Sequence, residues 1–242
     1  AEAWRDAGHA VRAIVSTEPS IVQWAHTLGV AVFADEASLM HQSGQAFDYL
    51  FCLGTPGSVS RELMASAHKL AITFHDAPLP KYAGWHAPAW ALMAQETSHG
   101  VTWQAMTPQG EVRIVRQVRF EIPPGETTLG LQARCYEAGL QSFEALAEAI
   151  GRDDLVLGDR LPAGPCIDRQ QRPPTLGTLD FSRPAAELAA LVGALDFGPS
   201  AHCPNPVARA KLYLGDKILL VDTARTLPAA ESSGAAPVTV LQ

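Results

Sequence analysis

The chain has 242 residues, 47% hydrophobic and 18% charged, with a formal net charge of −7, the profile of a soluble globular protein able to bury a substantial core. Its scattered Lys and Arg exclude a nucleic-acid backbone as main partner, which needs a basic stripe. A membrane helix is excluded as well, because no apolar run approaches the roughly 18 residues one requires.

Ala1 to His9 shows no targeting pattern and reads as the last turns of a helix, ended by Gly8 and leading into a strand from Ala10 to Val15. A doubly wound sheet opens with a strand ahead of such a helix. The expectation is therefore a domain whose first strand is missing, in a piece cut from a longer polypeptide. Ser16 to Ser20 is a turn capping a helix with Ile21, Val22, Trp24 and Ala25 at helical spacing, and Gly29 to Phe33 is the next strand. A short helix follows at Ser38 to Gln42, then a buried strand from Phe47 to Leu53. That strand opens into Gly54-Thr55-Pro56-Gly57-Ser58, which lacks both the P-loop Lys and the G-x-G-x-x-G spacing and reads as turn geometry.

Glu62 to Lys69 is a helix, and Leu70 to Phe74 an apolar strand running into His75-Asp76. Next come a proline-bracketed turn, Pro78 to Gly84, a helix from about Ala87 to Gln95, and strands Gly100 to Met106 and Val112 to Ile122. A histidine at the carboxyl end of a buried strand, followed by a rigid turn, is where open α/β sheets place chemistry. Pro123 to Thr128 breaks the chain and caps a long helix, Leu129 to Ile150, with Leu131, Cys135, Ala138, Phe143, Leu146 and Ile150 in helical period. Gly139 lies inside it, where close packing against a neighbour is the expected reason.

The predicted fold class is α/β: a Rossmann-like, mainly parallel sheet with helices on both faces, followed by a small β-rich, barrel-like module. Residues 1–150 form the α/β domain, 151–178 a Gly- and Pro-rich linker, and 179–242 the incomplete C-terminal module. That module holds a helix from Ala185 to Leu195, a hairpin of Lys211–Leu214 and Lys217–Val221 across Gly215-Asp216, and a strand at Val238–Leu241. The four cysteines, Cys52, Cys135, Cys166 and Cys203, are too widely spaced for a disulfide framework or a Cys-x-x-Cys metal site. They read as thiols of a reducing, cytoplasmic compartment, and no metal is expected.

Three stretches carry a resemblance. His75-Asp76-Ala77-Pro78-Leu79-Pro80-Lys81-Tyr82-Ala83-Gly84, Ala87-Pro88-Ala89-Trp90-Ala91-Leu92 and His99-Gly100-Val101-Thr102-Trp103 together resemble the 10-formyltetrahydrofolate-dependent formyltransferases. The wording of the turn looks most like the formyltransferase domains of nonribosomal peptide and polyketide synthases. The resemblance spans about Gly8 to Leu241. It implies a Rossmann-like folate-holding domain and a small C-terminal barrel, with neighbouring synthase domains and an aminoacyl or acyl carrier protein, bearing its phosphopantetheine arm, as partners.

Formyl transfer is acyl transfer: an amine attacks the formyl carbon, an oxyanion develops, and a proton leaves the amine. The resemblance implies an Asn two residues before a His, and an Asp on a later loop. His75 matches the histidine, but Thr73 stands at the Asn position with one hydroxyl in place of an amide. The loop after Gln104 is about one residue short; counting from either side puts Gly110 or Glu111 where the Asp belongs. The implied catalytic candidates are thus His75, Thr73 and Glu111, and the implied folate contacts are Ala77, Pro78, Leu79 and Pro80 together with the altered loop. Without the resemblance, Glu111 reads as a solvated loop charge, Thr73 as a half-buried strand residue, and Trp85, Trp90 and Trp103 as core.

The sequence reading is a formyltransferase-like domain with a degenerate catalytic set and weak or no transfer to a carrier-bound amine. An active formyltransferase using 10-formyltetrahydrofolate, a non-catalytic docking module, and a repurposed acid or base site acting on a carrier-bound acyl chain stand as alternatives.

Overall fold

The computed structural model describes residues 2–42, 47–54, 59–106, 111–162, 164–199 and 205–227. Its backbone divides into two compact units, one of Ala1–His75, Val101–Val118 and Glu137–Ala163, the other of Asp76–Gly100, Arg119–Tyr136 and Gly164–Gln242.

The first unit begins α1 (Glu2–Asp6), β1 (Ala13–Val15), α2 (Pro19–Thr27), β2 (Ala31–Phe33), α3 (Glu36–Gln42), β3 (Tyr49–Cys52), α4 (Arg61–Ala65) and β4 (Leu70–His75). Strand and helix alternate, and the pairing is accordingly parallel: Ala13 faces Ala31 across β1–β2, and Tyr49 faces Leu70 across β3–β4. β5 (Ser98–Met106) follows a turn and a short helix in the chain and pairs antiparallel with β4, from Ala71↔Met106 to His75↔Thr102. With β6 (Val112–Glu121) the order in this sheet is β3-β4-β5-β6, so β4 and β5 are interior; β1 and β2 form a ladder of their own. The sheet is thus mixed, parallel between β3 and β4 and antiparallel between β4 and β5.

β5 is buried continuously from His99 to Trp103, as a strand covered on both faces must be. Its Trp103 and Ala105, with Ile72 of β4, form the core against Leu146 and Ile150 of α6 (Thr128–Gly151). Trp103 Nε1 donates to Ser142 Oγ at 2.9 Å, which satisfies the one polar atom of an otherwise apolar contact. Gly139 of α6 has its reason here: a Cβ would stand 2.8 Å from Cε2 of the Phe74 ring. Residues 158–161, linker by composition, are bonded to β6 through Gly158 N to Ile114 O (2.8 Å) and Leu161 N to Val112 O (2.8 Å). Gly and Pro report the lack of a helical or strand period, not the lack of backbone partners.

In the second unit the turn after His75 leads to α5 (Ala87–Met93), which packs on α7 (Ala185–Ala194). Leu92, Leu131 and Ala194 make one apolar cluster; Leu179, Val192, Leu195, Val207 and Ala210 make another. Thr127 caps the start of α6, its Oγ1 accepting from Gly130 N at 3.1 Å. β7 (Lys211–Leu214) and β8 (Lys217–Leu220) form the expected antiparallel hairpin, Leu214 opposite Lys217 across Gly215-Asp216. Among the described residues the C-terminal module is this hairpin with one bridge, Thr178 to Lys211, and no barrel closes. The strand expected at Val238–Leu241 and the loop Thr55–Ser58 lie outside the described residues. Among the described residues no helix is long and apolar enough to cross a membrane.

Candidate active site

Alternation along β4 sorts its residues. Ile72 and Phe74, with Trp103 and Ala105 of β5, belong to the face packed on α6. Thr73 and His75, two residues apart, therefore share the opposite face, as do their register partners Gln104 and Thr102. His75 is 7% exposed and Thr102 fully buried. Gln117 of β6 donates from Nε2 to Thr102 Oγ1 at 2.9 Å, so an amide side chain is tied to the residue across from the histidine. The strands thus gather an imidazole, two threonine hydroxyls and two amides on one sheet face. Thr102, quoted in the sequence only within the His99–Trp103 stretch, and Gln117 were not singled out as site residues because their role depends on cross-strand register; Thr102 at an even offset from the strand end was the available signal.

Cys52 faces Thr73 from β3. Burial, then the Glu36 carboxylate, pushes its thiol up to about 11, so it stays protonated at neutral pH. Glu111 is engaged elsewhere: its Oε2 accepts from Arg113 Nε at 3.2 Å, and Oε1 lies 3.7 Å from Arg160 Nη1. Gly110 lies outside the described residues.

In the second unit, the carbonyl of Asp76 accepts from His99 Nε2 at 2.8 Å, and Cys135 Sγ lies 3.9 Å from the same oxygen. His99 is fully buried, which makes it a brace for the start of the turn. Burial, then the Asp76 charge, pushes the Cys135 thiol far up. Leu79 N donates to Ala77 O and Lys81 N to Pro78 O (3.0 and 3.3 Å), and the Leu79–Pro80 peptide is cis. Ala77, Pro78 and Leu79 are buried and Pro80 exposed. A ligand at this turn would therefore meet backbone and the Pro80 ring more than the Leu79 side chain. The turn is clamped from outside: Glu96 Oε1 accepts from both Lys81 Nζ (2.6 Å) and Tyr82 Oη (2.8 Å). Those bonds, Lys81 first, hold the Glu96 carboxyl below the usual range, while burial raises the Tyr82 phenol.

Past the turn, Gly84 (φ +109°) lies so close to Ile167 that a Cβ would come within 2.3 Å of its carbonyl oxygen. Ile167 N donates to Ala83 O (2.7 Å) and Trp85 N to Ile167 O (3.0 Å), fixing the strand-like approach of the two segments. His86 follows at φ +60°. His86 Nε2 and Trp90 Nε1 are buried without a hydrogen-bond partner among the described residues, an arrangement that costs about 1–3 kcal/mol per group. Trp103 is core, as expected; Trp85 and Trp90 are only half-buried. Among the described residues no three His, Cys, Asp or Glu side chains gather as a metal site.

No family model matches the chain. Solved structures do. A 4-N formyltransferase from Francisella tularensis superposes with a TM-score of 0.69 at 13% identity, covering 93% of each chain. A sugar N-formyltransferase from a Shewanella species gives 0.62 at 14% identity, covering 89% of this chain and 98% of the other. An N-formyltransferase from Helicobacter canadensis, in complex with folinic acid and dTDP-3-aminofucose, gives 0.57 at 18% identity, covering 74% of this chain and 65% of the other. The chain has the fold of the formyltransferases.

Proposed function

We propose that the chain is a formyltransferase-like domain of a multidomain biosynthetic synthase, with His75 at its centre and a reduced catalytic set, transferring formyl feebly or not at all to an amine on a carrier protein's phosphopantetheine arm. The observation that carries this reading is the shared face of β4, where Thr73 and His75 sit two residues apart at a strand end in a formyltransferase fold. On this reading His75 would donate to an oxyanion or accept a proton from the amine. Thr73 offers one hydroxyl where an amide would supply two donors.

The backbone of Ala77–Pro80 and the exposed Pro80 ring would hold 10-formyltetrahydrofolate, and the braced, buried turn fits that task. When bound, the folate supplies the formyl group. His75, Thr73 and the Thr102–Gln117 pair would align and discharge the attacking amine. The ion pairs of Glu111 with Arg113 and Arg160 count against Glu111 as the base, and favour docking of a carrier as the second reading.

A mass-spectrometric assay of an aminoacyl carrier protein tests the proposal with wild type, His75→Ala, and Thr73→Asn combined with Gly110→Asp. Loss of a general base forfeits roughly 10²- to 10⁴-fold in rate, so wild type should be slow and the double substitution faster. Fast wild-type formylation abolished by His75→Ala would overturn the reduced-site reading. Silence in all three would leave carrier docking.

A further inference from the structure

The segment 166–172 brings two arginines to one place. Ile167 is locked to Ala83 and Trp85 by the backbone bonds described above. A tight turn then follows, with Asp168 Oδ1 accepting from Gln170 N at 2.7 Å and Asp168 O from Gln171 N at 3.1 Å. The turn lays the Arg169 guanidinium over the Trp85 ring, 5.0 Å from its centre. Arg172 folds back, its Nη1 donating to Arg169 O (3.2 Å) and Gln171 O (3.0 Å). Both side chains are exposed, and among the described residues neither meets a carboxylate, whereas Arg113, Arg134, Arg152, Arg183 and Arg209 each do. On a chain with 25 acidic and 18 basic residues, the turn sets two such arginines three positions apart, with the Arg172 guanidinium folded onto the Arg169 carbonyl.

A guanidinium stacked on an indole keeps its in-plane N–H edges free, and backbone bonds through Nη1 leave Arg172 its remaining donors. Both forks are held before any ligand arrives. Beside them, burial, and with it the charges of Arg172 and Arg169, holds the His86 ring neutral against the pull of Asp76. Its Nε2 and the Nε1 of Trp90 are buried nitrogens without partners among the described residues. One carboxylate fills one fork; two forks call for an anion with more oxygens, which is a phosphate.

We propose that Arg169 and Arg172, set against Trp85 and His86, form a binding site for a phosphate-bearing group. On the formyl-transfer reading, on which this assignment of the ligand rests, that group belongs to the molecule carrying the amine: the phosphodiester of a pantetheine arm or the diphosphate of a nucleotide-linked sugar.

The test is calorimetry on the whole chain, with no formyl donor present, using inorganic pyrophosphate, 4′-phosphopantetheine and a nucleoside diphosphate as separate probes. Arg169→Glu with Arg172→Glu changes only exposed side chains, and Arg152→Glu is the control for charge elsewhere. Saturable binding of pyrophosphate is expected, falling with added salt, weakened about tenfold or more by the double reversal and unchanged in the control. Arg169→Lys with Arg172→Lys keeps the charge but loses the forks and should weaken binding less than reversal does. Preference for phosphopantetheine assigns the ligand to a carrier, and preference for the nucleotide to a sugar nucleotide. Absence of saturable binding with every probe, or equal binding in the double reversal, overturns the site. Because no formyl transfer is read, that failure is separate from a failure of the His75 reading. Fast wild-type formylation with phosphate binding intact would overturn the reduced-site reading alone.

Discussion

Thr102 stands directly across the β4–β5 pairing from His75, and its hydroxyl accepts a hydrogen bond from Gln117 Nε2 at 2.9 Å. Thr102→Val keeps the shape and removes the acceptor. Loss of this buried bond should cost about 1 kcal/mol, read as a lower urea midpoint at unchanged slope. If the pair also aligns His75 for transfer, the rate should fall by more than the stability change explains.

Glu96 holds Lys81 and Tyr82 through a single oxygen. Glu96→Ala should release the turn that precedes α5 and lower stability by about 1–2 kcal/mol, as charge-assisted bonds go. Glu96→Gln keeps the acceptor for Tyr82 and should lose less. Calorimetry with a stable formyl-folate analogue should show weaker binding to the alanine variant. Leu79, by contrast, is 6% exposed, so a charged residue there would disturb folding and could not report on a contact.

Two glycines make opposite demands. At Gly84 the backbone itself is in the way: a Cβ would stand 2.3 Å from Ile167 O and 2.5 Å from Ile167 N, and φ is +109°. Gly84→Ala should cost about 3 kcal/mol or more. At Gly139 the obstacle is the Phe74 ring, at 2.8 Å, in a helix that would otherwise gain from alanine. Overpacking of about 1–3 kcal/mol should outweigh the roughly 1 kcal/mol of helix propensity, leaving Gly139→Ala mildly destabilised in a thermal melt.

His86 sets a pH dependence. Its folded pKa lies below the ordinary 6.5, chiefly through burial, so the folded state binds fewer protons than the unfolded in that range. Stability supplied by the neutral ring is complete above the unfolded value and is lost as pH falls through the folded one. Denaturation midpoints should drop on acidification below 6.5, and His86→Gln should flatten that part of the profile.

Element type was legible from period and punctuation. Leu70 to Phe74 was an apolar run bounded by charge and turn residues, and the structure adds His75 to the same strand. Gly139 pointed to a close neighbour, and Phe74 is that neighbour. Strand direction was not legible at β5, because a crossover and a return look alike in a list of apolar runs. The candidate site was half visible for the same reason. Thr73 and His75 share a face by counting in twos, but Gln117 reaches Thr102 only once β6 is known to lie beside β5. Arg169 and Arg172 sat in a segment whose composition spoke only of breaks; their convergence depends on the backbone bonds of Ile167.

Because β4 is an interior strand of its sheet, the peptide groups of Ile72 and Thr73, just before His75, are flanked on both sides, by Phe51 and Cys52 of β3 and by Ala105 and Gln104 of β5, and cannot fray. Their amide protons should exchange with deuterated solvent only when the whole unit opens. The imidazole of His75 should then lose its folded NMR signal at the same denaturant concentration at which the far-ultraviolet circular dichroism collapses. A scaffold of that kind ties the aim of its histidine to survival of the fold, and leaves adaptation to the loops and turns that border it.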